Sequence, residues 1–158
     1  YLCWLNDPQV SGYLETRHSP QDMASVRAFV ESVAARDNEV LFGIFLREDG
    51  RHIGNIKVGP IHPWHRLADV SLLIGDKGCW GRGFAAEAIE ALSRYAFAHL
   101  PVEKLSASMY WENEGSRRAF LKAGYREEGR RRAHYRLAEA RSDLIELGCL
   151  PSDLEAQA

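Results

Sequence analysis

One stretch in the middle of the chain constrains the fold more than any other: an apolar run followed by two closely spaced glycines. Leu72-Leu73-Ile74 is typical of a buried strand and ends at Gly75, and Gly81-Arg82-Gly83 opens a long helical pattern. Glycines carry no Cβ, so the N–H groups from Arg82 to Ala86 can point at one anion, and the helix start adds its positive dipole end. The pattern predicts a pyrophosphate site at a helix N-terminus.

Other glycine-rich turns have to be weighed against this interpretation. A tight strand-to-helix turn that binds nothing has the same spacing. Gly81 to Ala86 also fits the dinucleotide-binding pattern G-x-G-x-x-A, but its connection to the strand is too long and repeated βαβ units are missing around it. A P-loop is excluded because no Gly-Lys-Ser/Thr follows the glycines.

The composition indicates one ordinary globular domain. A chain of 158 residues can bury a sizeable core, so we expect a single domain over 1–158, with a flexible tail over 151–158. A formal net charge of −2 gives no field for binding nucleic acid. The 3 cysteines are odd in number and widely spaced, which favours a reducing, cytoplasmic compartment. No apolar stretch is long enough to span a bilayer, so we expect no membrane partner.

Along the chain, helix and strand patterns follow each other in the order of a mixed α/β sheet. Helix starts are predicted after Asp7 and Asp22, at Gly83 and at Asn113, each next to a capping or turn residue. Strands are predicted over 40–46, 52–58, 68–74, 104–111, 125–135 and 143–149.

Several ordered segments resemble one known family. Trp80-Gly81-Arg82-Gly83-Phe84-Ala85 is similar to the Q/R-x-x-G-x-G/A signature of the GNAT superfamily of N-acetyltransferases, in the form found in the Rim-type and amino-sugar-acetylating subgroup. Trp4-Leu5-Asn6-Asp7-Pro8 resembles the opening segment of that subgroup, and Gly54-Asn55-Ile56 resembles its third strand. Asn113 to Gly129 resembles its N-x-x-S…F-x-K-x-G-F…E-G block. The resemblance runs in order from about Trp4 to Cys149.

The resemblance implies the GNAT fold: an α/β domain whose mixed, mostly antiparallel central sheet is flanked by helices. The sheet is splayed between the fourth and fifth strands in the count of the family. Members of the family have a strand before the segment that begins here at Trp4, so we expect that first strand to be missing from this chain, which begins at Tyr1.

The resemblance also implies acetyl-CoA as the cofactor. The glycine turn would hold its pyrophosphate, the backbone of the preceding strand would pair with pantetheine, and an N–H near Leu73 would polarise the thioester carbonyl. The predicted cofactor-binding residues are Leu72, Leu73, Ile74, Trp80, Gly81, Arg82, Gly83, Phe84, Ala85, Ala86, Asn113, Ser116 and Phe120.

Proton transfer is less well defined by the resemblance. Many members carry a general-acid Tyr in Y-x-x-x-G-F, and Phe120 occupies that position here, so the phenol is absent. Ser116, one turn earlier, is the candidate to protonate the departing thiolate. The alternative is that its hydroxyl only caps the helix. The candidate bases are Asp69, Glu112, His134 and Tyr135, of which Tyr135 and Asp69 join Ser116 as predicted catalytic residues.

The acceptor is expected opposite the cofactor, between the N-terminal helices and the loop 59–66. The predicted acceptor-binding residues are Trp4, Asn6, Tyr13, Asn55, His62 and His65. Their stacking faces and neutral hydrogen-bonding groups favour a nucleotide-linked amino sugar. A protein N-terminus of the Rim type is the alternative, and a polyamine is less favoured because the chain has no marked acidic excess.

Three further expectations complete this interpretation. His62-Pro63-Trp64-His65 has an H-x-x-H spacing, but no third ligand lies nearby in the sequence, so no metal site is expected. No nucleophile constellation surrounds a cysteine, which predicts direct attack of the amine in a ternary complex. The assembly is expected to be a monomer or a homodimer. The rival of another class is a non-catalytic acyl-CoA-binding module, supported only by Phe120.

Overall fold

The strand patterns come together in a single open sheet. The computed structural model is described for residues 1–155, and in them six strands are arranged in the order β1-β2-β3-β4-β6-β5. The strands are β1 Val40–Phe45, β2 His52–Val58, β3 Leu67–Ile74, β4 Lys104–Tyr110, β5 Arg126–Leu137 and β6 Ala140–Cys149. Neighbouring strands are antiparallel except for β3 and β4, which are parallel. The mixed, mostly antiparallel sheet predicted from the sequence is confirmed.

Of the α-helices in residues 1–155, the second to the fifth begin directly after the residues that the sequence predicts, whereas the first and the last were not predicted. The α-helices are α1 Leu2–Leu5, α2 Pro8–Ser11, α3 Met23–Ala34, α4 Phe84–His99, α5 Glu114–Lys122 and α6 Pro151–Glu155. The Asp7 side chain caps α2 by accepting a hydrogen bond of 2.9 Å from the Gln9 amide, and Asp22 forms a capping box with Ser25 at α3. In the part of the chain described, no helix has the length and apolar character to cross a membrane.

One face of the sheet is buried against α4 and α5. Alternate residues of β4, Leu105, Ala107 and Met109, join the main core, which also contains Ile89 of α4 and Phe120 of α5. Because side chains alternate along a strand, Ser106, Ser108 and Tyr110 lie on the opposite face. The two faces of β4 therefore differ in chemistry, apolar towards the helices and polar or aromatic away from them.

The parallel strands β3 and β4 pair only where they begin. Leu67, Ala68 and Asp69 are in register with Lys104, Leu105 and Ser106, and no pair follows among residues 1–155. From Val70 to Ile74, β3 continues to pair with β2 on its other side. The edge of 70–74 that faces β4 is therefore without a strand partner, which is the predicted splay; it lies between the third and fourth strands of this chain.

The end of the described chain differs from the prediction. Pro151–Glu155 forms α6, and Leu154 is buried in the main core at 3% exposure. Asp153 accepts a hydrogen bond of 2.9 Å from the Leu150 amide and forms an ion pair of 2.8 Å with Arg126. The predicted flexible tail is wrong for 151–155, because burying Leu154 against α4 stabilises the helix. Residues 156–158 lie outside the described residues.

Candidate functional site

The connection from β3 to α4 forms a cradle of backbone amides. Gly81 and Gly83 have φ angles of +71° and +90°, which residues with a Cβ rarely adopt. Gly83 stands at the N-cap of α4, where no side chain caps the helix. The first helical bond runs from the Glu87 amide to the Gly83 carbonyl at 3.1 Å. The N–H groups of 84–86 are therefore available to an anion, as the sequence predicts.

Open space and a cation lie in front of this cradle. A Cβ on Gly81 would meet no heavy atom within 4 Å, and one on Gly83 would lie 3.7 Å from Nζ of Lys122. Lys122 is the last residue of α5, which packs against α4. Lys122 is the lysine of the F-x-K-x-G-F block and was not among the predicted cofactor-binding residues. Amides, a helix dipole and an ammonium group together fit the pyrophosphate of CoA.

We expect Lys122→Gln to weaken CoA binding about tenfold, the effect of losing roughly 1.4 kcal/mol from one charge-assisted hydrogen bond. Calorimetric titration with CoA and with dephospho-CoA measures this loss. The two ligands should lose the same factor, since the pyrophosphate is common to both. Lys104→Gln is the matched control, because Lys104 forms an ion pair of 2.7 Å with Glu128 away from the cradle. Unchanged CoA affinity of Lys122→Gln would remove Lys122 from the site.

Trp80 fastens the cradle to the end of β3. Its indole Nε1 donates a hydrogen bond of 2.8 Å to the Ile74 carbonyl, while the residue stays 45% exposed. In the turn between them, the Asp76 side chain accepts a hydrogen bond of 2.9 Å from the Gly78 backbone N–H. Because the indole N–H of Trp80 is already bonded within the protein, the part of Trp80 that can contact a cofactor is the face of its ring. Leu72, Leu73 and Ile74 are half-buried, and their backbone edge faces the splay.

The start of α5 lies directly after the end of β4. The backbone N–H of Asn113 donates a hydrogen bond of 2.9 Å to the Tyr110 carbonyl. The Asn113 side chain caps α5 by accepting a hydrogen bond of 3.3 Å from the Ser116 backbone N–H. Since Asn113 is the cap, the Ser116 hydroxyl is not needed for that purpose. Within residues 1–155 its Oγ makes no hydrogen bond, so it is available as a proton donor.

Phe120 belongs to the core and not to the cofactor surface. It is 2% exposed, and its ring packs edge-on against Tyr125 with the ring centroids 4.9 Å apart. The structure does not support the predicted cofactor contact of Phe120. The reason is that the inner side of α5 is used for packing against the sheet, where an aromatic ring contributes about 2–3 kcal/mol by burial.

A cleft of about 510 Å³ opens beside the end of β4, on the face opposite α4. It is lined by Glu15, Arg17, His18, Tyr110, Tyr135, Arg136 and Ala138. The ring of Tyr110 lies between those of Tyr13 and Tyr135, with centroid distances of 5.9 and 4.8 Å. Tyr13 does not line the cleft itself; its ring packs near Tyr110, and its hydroxyl donates a hydrogen bond of 3.1 Å to the Glu112 carbonyl. The cleft therefore lies on the face of β4 opposite the helix α4 that begins at the glycine cradle.

The predicted bases are dispersed around the site. Asp69 accepts a hydrogen bond from Ser106 where the splay begins, and Glu112 accepts one from Ser142. Asp69 and His134 line a separate groove of about 590 Å³, which shares Tyr135 with the cleft. Of these candidates, Tyr135 is the one whose side chain lines the cleft beside Tyr110.

The predicted acceptor site is not assembled. Trp4 packs on Gly75, directly after the end of β3. It also packs on His52 of β2, with the two ring centroids 4.9 Å apart. His62 is bridged to Leu67 at the beginning of β3. Because β3 is 8 residues long, about 23 Å separates its two ends. The prediction that Trp4, His62 and His65 line one site is therefore wrong.

Two other predicted acceptor residues have internal partners. The side-chain amide of Asn6 donates a hydrogen bond of 2.8 Å to the Gln21 carbonyl and accepts one of 3.0 Å from the Gln21 backbone N–H. These two bonds join the end of α1 to the segment before α3. Asn55 is in register with Leu73, and its Oδ1 lies 3.0 Å from Nε2 of His52, whereas its Nδ2 is buried without a hydrogen-bond partner among residues 1–155. Of the predicted acceptor residues, Tyr13 is the one whose ring packs near a residue that lines the cleft, Tyr110.

Known proteins share this architecture and this sequence pattern. Residues 1–126 match the family model described as an acetyltransferase (GNAT) domain. The uncharacterized N-acetyltransferase YoaA of Bacillus subtilis is 28% identical over 130 residues, covering 82% of this chain and 73% of YoaA. The probable N-acetyltransferase YjcK of the same organism is 33% identical over 123 residues, covering 76% of this chain and 66% of YjcK.

Solved structures show the same fold. Spermidine N-acetyltransferase from Vibrio cholerae, in complex with CoA and spermine, has a TM-score of 0.84 and 19% identity over 98% of this chain and 89% of its own. A GNAT-family acetyltransferase from Bacillus anthracis has a TM-score of 0.79 and 20% identity over 94% and 86% of the two chains. With the glycine cradle, the splayed strands and the family match over 1–126, the chain belongs to the GNAT family and is an acetyl-CoA-dependent N-acetyltransferase.

Proposed function

We propose that this N-acetyltransferase acetylates the primary amine of a small acceptor that also carries an anionic group, with nucleotide-linked amino sugars as the class. The observation that carries this proposal is the charge of the cleft beside Tyr110. Arg17, Arg136 and His18 line it together with a single carboxylate, Glu15, among the described residues. A polyamine requires several carboxylates, whereas a phosphate is bound by arginine.

The aromatic lining supports the same class of acceptor. Tyr135, which packs on the buried ring of Tyr110, lines the cleft and gives it an aromatic surface for a flat or hydroxyl-bearing ligand. Arg136 is 75% exposed at the rim, so its guanidinium can turn to a phosphate without breaking a buried contact. The similar structure from Vibrio cholerae is described as a spermidine N-acetyltransferase, but at 19% sequence identity the similarity supports a shared fold and not a shared substrate.

In this proposal, residues on one face of the splayed strands bind the cofactor, and residues on the other face bind the acceptor. When bound, acetyl-CoA supplies the thioester from which the acetyl group is transferred. The amides of 84–86 and Lys122 hold its pyrophosphate, and the free edge of 72–74 offers strand-like pairing to its pantetheine arm. Ser116 donates a proton to the departing sulfur. The amine approaches from the cleft beside Tyr110.

Direct attack by the amine agrees with the state of the cysteines. Cys79 and Cys149 are buried at 2% and 0% exposure, and burial raises the pKa of the Cys149 thiol to about 12. Cys3 is exposed on α1 and is not among the residues that line the cleft. We therefore propose that no acyl-enzyme forms. The monomeric or dimeric state and a reducing, cytoplasmic location stay predictions from the sequence.

Competition between acceptors tests the proposal. UDP-glucosamine, a peptide with a free N-terminus and spermidine are supplied together with acetyl-CoA, and the acetylated products are quantified. We expect UDP-glucosamine to be acetylated fastest, and Arg136→Gln to raise its KM severalfold with little effect on spermidine. A clear preference for the peptide would favour the Rim-type alternative. CoA binding without turnover of any acceptor would favour the non-catalytic module.

A further inference from the structure

The cleft contains a carboxylate whose orientation is set by a chain of hydrogen bonds. Glu15, in the turn after α2, accepts at Oε1 a hydrogen bond of 2.7 Å from the phenol of Tyr110. The same phenol accepts a bond of 2.8 Å from Nη2 of Arg17. The Arg17 guanidinium also lies over the Tyr110 ring, with Cζ 5.1 Å from the centroid. This chain of Arg17, Tyr110 and Glu15 ends at the cleft.

The three members differ in exposure in a way that suits a ligand site. Tyr110 is 5% exposed and the Arg17 side chain 16%, whereas the Glu15 side chain is 71% exposed. A buried phenol and a partly buried guanidinium therefore hold an accessible carboxylate. Of the cleft-lining residues within 1–155, Glu15 is the only carboxylate, so it is the group there that can bind a cation.

The surroundings assign different roles to the phenol and the carboxylate. Burial, and after it the bond to Glu15, raises the pKa of Tyr110, so the phenol stays protonated at neutral pH and acts as a donor. The titratable or charged groups that face Glu15 come from its own turn and from two strands. They are Arg17 and His18, Tyr110 of β4, and Tyr135 and Arg136 of β5.

We propose that Glu15 binds the ammonium group of the acceptor and receives the proton that its nitrogen loses, with Tyr110 and Arg17 as positioning residues. This inference rests on the acceptor cleft proposed above. The proton moves from the nitrogen to a carboxylate oxygen of Glu15, which becomes a carboxylic acid and then returns the proton to solvent. This transfer precedes attack, because an ammonium nitrogen has no lone pair with which to attack the thioester carbon. The nitrogen loses a second proton as the C–N bond forms and the C–S bond breaks, and that proton balances the one that Ser116 donates to the departing sulfur.

Turnover of the fastest of the three acceptors, measured across pH, tests this assignment. Glu15→Gln is expected to lower kcat/KM about 100-fold at pH 7. The deficit should shrink towards pH of about 9.5, where the acceptor arrives increasingly as the free amine. Tyr110→Phe keeps the ring and removes the bond to Glu15, so we expect a loss of about tenfold with the same pH trend.

Two controls separate this role from a structural one. Glu48→Gln, in the exposed turn between β1 and β2, should retain the kcat/KM of the unaltered protein. CoA affinity by calorimetry should be the same in all variants. A kcat/KM of Glu15→Gln equal to that of the unaltered protein, or a deficit that does not change with pH, would overturn the role of Glu15. A Tyr110→Phe deficit without pH dependence would reject Tyr110 as a positioning residue. Failure of the unaltered protein with every acceptor would instead reject the proposed function.

Discussion

Replacing Gly83 by Val is expected to lower CoA affinity by at least about 100-fold, or roughly 2.7 kcal/mol, in a domain that remains folded. Gly83 has a φ of +90°, which a β-branched residue adopts at a cost of about 1–2 kcal/mol. A Cβ at this position would also point towards Lys122, 3.7 Å away, into the space in front of the amides of 84–86. The substitution therefore fills the anion site itself. Titration calorimetry with CoA measures the loss.

Gly50→Val is the matched control for backbone strain. Gly50 has a φ of +70° in the turn between β1 and β2, and a Cβ there would meet nothing within 4 Å. Both variants should lose a few degrees of Tm, but only Gly83→Val should lose CoA affinity. A folded Gly83→Val protein that binds CoA as tightly as the unaltered protein would place the pyrophosphate elsewhere.

Replacing Ser116 by Ala is expected to lower turnover about 100-fold while CoA affinity stays unchanged, the usual size of effect for loss of a general acid. Asn113, not Ser116, caps α5, so removal of the hydroxyl should leave the helix intact. The rate of thiol release under saturating acetyl-CoA and acceptor measures turnover, and calorimetry measures CoA binding.

Ser116→Thr serves as the rescue variant for this prediction. It retains a hydroxyl at the same position of the first turn of α5, so it should recover most of the rate. Turnover of Ser116→Ala equal to that of the unaltered protein would show that another donor protonates the sulfur. A loss of Tm in Ser116→Ala that parallels its loss of rate would indicate a structural role.

Much of the fold was predictable because its determinants are local. Asp7, Asp22 and Asn113 begin helices by bonds to backbone amides at most three residues away in the sequence. The glycine turn was identified for the same reason, since the positive φ angles of Gly81 and Gly83 depend on the absence of a side chain on those residues. Where a local signal competed with burial, as in the helix that contains Leu154, the local interpretation was wrong.

The sequence by itself thus determined the strands, the helix starts, the amide cradle and the absence of a Tyr at Phe120. Only the tertiary structure decided what faces the cradle and the cleft. Lys122 reaches Gly83 because α5 packs on α4, and Trp4 is kept from His62 by the full length of β3. Glu15 and Tyr110 are 95 residues apart in the chain and are joined by one hydrogen bond. Periodicity and capping act over a single turn, whereas a contact of that separation exists only once the sheet has formed and one face of it is covered.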